Sequence, residues 1–148
     1  MPKNLNMPMN IQPIVERYSS LLSMFQSFLS EIPLPSSKSE LIGYHQKCNR
    51  CEAELLSVKS EILLTKAELI RDIKSFSKEY VQKSMCTDQW EMKRKLENHP
   101  PIADAQLSVD KLIAMADVLE NYIWVFKSNK TLAVENYKYL GSLPTGSI

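Results

Sequence analysis

The chain is predicted to be all-α, and three observations carry that prediction. Apolar side chains recur at alternating steps of three and four along most of its length. The first row is Ile14, Tyr18, Leu21, Phe25, Phe28 and Ile32. The second is Leu41, Tyr44, Cys48, Cys51, Leu55, Val58, Ile62, Thr65 and Leu69. The third runs Ile102, Ala105, Val109, Leu112, Ala116, Leu119, Ile123, Phe126, Lys130, Ala133, Tyr137 and Leu140. The eight prolines, at positions 2, 8, 13, 33, 35, 100, 101 and 144, avoid the two long rows, where proline would break a helix. The three glycines are too few for a fold rich in tight turns. The expected architecture is a long antiparallel helical hairpin with heptad seams plus an N-terminal amphipathic helix, assembling as a homo-oligomer.

Taken in order, residues 1–10 read as a flexible tail, with Asn10 a cap for a first helix over about 11–32 that carries Pro13 in its first turn. Pro33 to Ser37 forms a linker. Ser37 followed by Glu40 is the pattern of a capping box opening a second helix, which spans about 38–85 with Gly43 as its weak point. Beyond Leu69 the apolar positions become Ile73, Phe76 and Tyr80, so the strict repeat drifts. A short helix is expected over about 88–98, then Pro100 and Pro101 turn the chain into a helix over about 101–140 that Gly141 ends with a left-handed cap. Residues 11–141 thus read as a single all-helical domain, and 142–148 as a flexible tail.

Composition narrows the function classes. Eighteen basic against 17 acidic residues leave a net charge of +1, so no global field drives the chain onto DNA or an acidic membrane. Neither an apolar leader nor a membrane span is legible, which points to a cytoplasmic protein. Cys48, Cys51 and Cys86 form an odd set suited to reduced thiols.

No catalytic constellation stands out: there is no glycine-rich phosphate loop and no paired nucleophile and base, so a non-enzymatic role without cofactor is expected. His45, Cys48 and Cys51 make an H-x-x-C-x-x-C row with the ligand types zinc uses. A structural site takes four ligands, and His99 or Cys86 would have to complete it. Cys48 and Cys51 also occupy seam positions, where cysteine acts as a small hydrophobe, so no metal is expected. Glu52, Glu54, Glu61 and Glu68 read as solvated helix-surface charges.

Length drives the expectation of assembly. At 1.5 Å per residue the second helix is roughly 70 Å long and the first about 30 Å, so the first cannot cover the whole hairpin. Ser19 to Ser30 contains no charge and presents apolar residues on more than one face. Leu21, Phe25, Phe28, Leu112, Leu119, Ile123, Phe126 and Tyr137 are therefore the candidate subunit interface.

Basic residues give the remaining candidate site. Lys59, Lys66, Arg71, Lys74, Lys78 and Lys83 lie along the second helix, and Lys93, Arg94 and Lys95 follow the break. Between 71 and 95 seven basic residues face four acidic ones. Arg71, Lys74 and Lys78 share one helix face suited to tracking phosphates, with Phe76, Tyr80 and Trp90 near enough in sequence to stack on bases. The same pattern suits a plain solvated face. Repetition in an oligomer would multiply the phosphate contacts.

Three segments resemble the phage recombination mediators of the UvsY type: Lys78-Glu79-Tyr80 closing a basic helix, the stretch Trp90 to Leu96 before a break and a long helix, and Asn129 to Gly141 at the end. The likeness covers about residues 40–141, and departs from the family at Val81-Gln82-Lys83, where a second tyrosine and a glycine are usual. The resemblance implies a ring-like homo-oligomer that binds single-stranded DNA through residues near Lys66, Arg71, Lys74 and Lys78. It also implies contact with a recombinase and a single-strand binding protein, in the host cytoplasm if the chain is phage-encoded. Two alternatives stand beside it: a structural or adaptor coiled-coil protein binding a protein partner without nucleic acid, and a small viral inhibitor of a host enzyme.

Overall fold

A computed structural model describes residues 11–31, 35–84 and 88–142. Among them the chain forms four α-helices: α1 (Gln12–Glu31), α2 (Lys38–Lys83), α3 (Gln89–Glu97) and α4 (Pro100–Ser142). The all-helical class is as the rows predict, and the two long helices pack together.

Local chemistry sets the helix ends. Pro13 sits in the first turn of α1, where its missing N–H is harmless, and the Ile11 carbonyl accepts from Val15 N at 3.0 Å; Asn10 lies outside the described residues. Ser37 Oγ accepts from Glu40 N at 3.3 Å, closing half of the expected capping box on α2. Asp88 caps α3 by accepting from Trp90 N at 3.1 Å. Pro100 and Pro101 occupy the first two positions of α4, and the His99 carbonyl takes the N–H groups of Ile102 and Ala103 at 3.1 and 3.0 Å.

The other end of α4 differs from expectation. Gly141 is helical, not left-handed, and α4 continues through it to Ser142. Lys38 gives the reason: its ammonium lies 5.4 Å from the centre of the Tyr137 ring, and a Cβ added to Gly141 would meet its Nζ at 3.4 Å. The cation thus stands where the α4 dipole is negative, a placement that favours the helix.

Contacts divide the described chain into two compact units, where the sequence reads as one domain. One holds residues 16–59 and 117–142, the other 11–15 and 60–116, so α2 and α4 each contribute to both. In the first unit α1, the opening half of α2 and the closing half of α4 form a three-helix layer around Phe126. The Phe25 ring meets Phe126 edge-on at 5.3 Å, while Phe28 stacks on Phe126 at 6.0 Å and on Tyr44 at 5.9 Å. Leu41, Cys48, Leu55, Val58, Leu119, Ile123 and Ala133 complete that core. In the second unit Ile62, Thr65 and Leu69 of α2 are buried, as are Ile102, Ala105, Val109, Leu112, Met115 and Ala116 of α4.

This burial corrects the candidate subunit interface. Phe25, Phe28, Leu112, Leu119, Ile123 and Phe126 are all core residues of their own chain, with Phe126, Leu112 and Leu119 at 0% exposure. Comparing helix lengths misleads here because within each unit the rows of α2 and α4 cover each other, and in the first unit α1 closes over Phe126. Of the proposed set, Leu21 is half-buried and Tyr137 is exposed.

Gly43 is a helix-interior glycine with nothing within 4 Å of an added Cβ. Gly43→Ala should stabilise the protein by about 0.5–1 kcal/mol through lost unfolded-state freedom, read as a raised urea midpoint at unchanged slope.

Candidate nucleic-acid interface

The nine basic residues differ in whether a carboxylate lies beside them. Lys59 is ion-paired to Glu120 inside the first unit, so it serves α2–α4 packing. In the second unit Lys83 reaches Glu79 at 3.2 Å, Lys93 reaches Glu97 at 4.0 Å and Lys95 reaches Glu91 at 3.8 Å, each one helical turn away. Arg71, Lys74 and Lys78 remain exposed with no ion pair among the described residues, and Lys66 is half-buried. Their spacing of three and four puts Arg71, Lys74 and Lys78 on one outward face of α2. Residues 60–116 contain nine Lys or Arg and nine Asp or Glu, so this face is a local feature with no net field behind it.

The aromatic residues separate as sharply. Phe76 and Tyr80 stack on each other at 6.3 Å and pack on His99 at 5.5 and 4.4 Å, where the strict repeat of α2 gives out. His99 Nδ1 is enclosed there without a hydrogen-bond partner among the described residues. Trp90 is 67% exposed, and Arg94 lies over its ring at 5.6 Å from the centre.

The His45–Cys48–Cys51 row does not assemble as a metal centre. Among the described residues no three His, Cys, Asp or Glu side chains are grouped to hold a metal. Cys48 is fully buried and Cys51 partly so, and Cys86 lies outside the described residues. Burial raises both thiols above their ordinary pKa, which keeps them protonated and weakly nucleophilic. Burial, and after it the neighbouring Cys48, pushes the Tyr44 phenol up to about 12. Among the described residues no helix is long and apolar enough to cross a membrane.

Two ion pairs between α2 and α4 escape sequence reading. Lys130 pairs with Glu52 and donates to Asn49 Oδ1 at 2.9 Å, and Lys59 pairs with Glu120. Glu52 is thus a nearly buried partner, not a solvated surface charge. The signal was present in Lys130, a cation in an apolar row that requires a carboxylate on the facing helix.

No family model matches the chain, and neither a curated protein nor a solved structure matches it.

Lys130→Met should cost about 1–3 kcal/mol, because it leaves the Glu52 carboxylate enclosed without its cation. Combining it with Glu52→Met should recover much of the loss, as urea denaturation of the single and double variants would report. The Glu120 carboxyl is held below its ordinary 4.5 by the hydrogen bond from Lys59 and then by its charge. The stability from that pair is present above the ordinary value and lost as pH falls through the lowered one. Carbon-detected NMR titration should find the Glu120 pKa returned upward in Lys59→Met.

Proposed function

We propose that this chain is a non-enzymatic recombination mediator: a homo-oligomer that binds single-stranded DNA and promotes loading of a recombinase onto DNA coated by single-strand binding protein. It acts in the cytoplasm, that of the host if phage-encoded. The observation that carries the reading is the Arg71, Lys74 and Lys78 face, which stays exposed with no ion pair among the described residues, while Lys59, Lys83, Lys93 and Lys95 each lie beside a carboxylate. The resemblance to mediators of the UvsY type supports the same assignment.

Assembly in this reading uses surface that the intrachain core leaves over. Val118, Val125, Leu132 and Tyr139 stand seven residues apart on α4, and the last three are 41%, 48% and 64% exposed. They form a second heptad row, distinct from the buried one, for contact between copies. Each added subunit repeats the three-cation face along a bound strand.

The alternative reading, an adaptor that binds a helical partner without nucleic acid, draws on a groove of about 480 Å³ between α2 and α4. Leu41, Ile42, His45, Ala133, Val134 and Tyr137 line it.

One measurement separates the two readings. Binding of a single-stranded oligonucleotide should weaken steeply with salt, and Arg71→Glu/Lys74→Glu/Lys78→Glu should lower the slope of log affinity against log salt by about 2. Mass by light scattering should show that the variant still assembles. Absence of binding at low salt, or a slope unchanged in the assembled variant, would sink the mediator reading in favour of the adaptor.

A further inference from the structure

We infer that Trp90, backed by Arg94, is the base-stacking residue of a single-stranded DNA site on α3; this rests on the DNA-binding reading above and names the group that holds the base. Three aromatic residues stand near the basic run, and packing leaves one of them available. Phe76 and Tyr80 spend their ring faces on each other and on His99. Trp90 stands on a nine-residue helix with no buried residue, and two thirds of it is open to solvent. Its indole contributes to no core.

Charge singles out the same turn of helix. Lys93 and Lys95 are tied to Glu97 and Glu91, whereas Arg94, between them, makes no ion pair among the described residues. Its guanidinium lies over the Trp90 ring, four residues earlier in the helix. Arginine keeps its planar donors while stacked on an aromatic face, so it can present them to a phosphate. One helical turn therefore carries both parts of a nucleotide's recognition: a flat π surface for a base and an uncompensated cation for the adjoining phosphate. Stacking of this kind reads no sequence and requires bases freed from a duplex, which selects single strands.

The chain has two tryptophans, Trp90 and the exposed Trp124, so Trp124→Phe leaves Trp90 as the sole indole. In that background, titration with oligothymidylate at low salt should quench Trp90 emission in parallel with binding measured by anisotropy of a labelled strand. Trp90→Ala should weaken oligothymidylate binding about 5- to 100-fold, and Trp90→Phe should retain most of it. An abasic strand of equal length should bind parent and Trp90→Ala alike. Far-UV circular dichroism should be unchanged, since the residue is exposed. Salt-dependent binding with unmoved Trp90 emission and an unweakened Trp90→Ala would overturn the stacking assignment and leave the DNA reading standing. Equal weakening on the abasic strand would also overturn it, because the residue would then serve the backbone or the fold. If the parent binds no strand at all, both readings fall.

Discussion

Mutual cover between the apolar rows of α2 and α4 is the constraint on which the other features depend. Each row advances by three and four, so each buries a stripe on the partner helix and leaves the remaining surface polar or partly so. Within the first unit a third element closes that pairing over the Phe126 ring. Phe25 and Phe28 of α1 supply it. Elsewhere the close of α2 loses the strict repeat, and its rings turn to His99 at the entry of α4. The basic residues then fall on outward positions because the inward ones are already filled.

Apolar rows alone do not fix how far one helix slides along the other, because a shift of seven residues restores the same pattern. The ion pairs supply what the rows lack. Moving seven residues along α2, from Glu52 to Lys59, exchanges acid for base, and the partners on α4, Lys130 and Glu120, exchange in the opposite sense. A one-heptad slip would set Glu52 against Ile123 or Tyr137, leaving a nearly buried carboxylate without a cation. Such pairs contribute little net stability against apolar replacements, yet the mismatched registers they penalise are costly. Their role in this packing is to specify register.

The helical class and most helix starts were legible in the sequence because they depend on local chemistry. Proline placement, Ser37 before Glu40 and the three-four spacing need no knowledge of tertiary contacts. What was not legible depends on which faces meet. Phe126 and Leu119 look the same whether they bury against a second copy or against α1 and α2, so the row identified an interface without naming its partner. Gly141 likewise carried a sound local signal for a cap, yet it is helical, with a lysine about a hundred residues earlier in sequence beside it. In the candidate site, the shared face of Arg71, Lys74 and Lys78 was readable from spacing. The carboxylates beside their neighbours, and the difference between Trp90 and the pair Phe76 and Tyr80, required the folded arrangement.

The charge distribution sets how a strand is held if the outward cations hold one. Asp72 and Glu79 adjoin Arg71 and Lys78 in sequence, so the net charge around this face is smaller than its three cations alone. Attraction per copy is correspondingly modest, and residues 60–116 as a whole add no field to strengthen it. On the proposed reading a single copy, with three exposed cations and one open indole, would therefore bind a strand weakly. In the proposed assembly affinity would grow through repetition: copies held together would bind later segments of a strand at high effective concentration, while each contact stayed individually weak. Weak contacts would also suit the proposed role, since a strand held at many such points could be surrendered stepwise to a protein that binds it more tightly. Assembly and balanced charge thus belong to one argument. In the proposed reading the first would provide retention of the strand, and the second would keep each contact reversible.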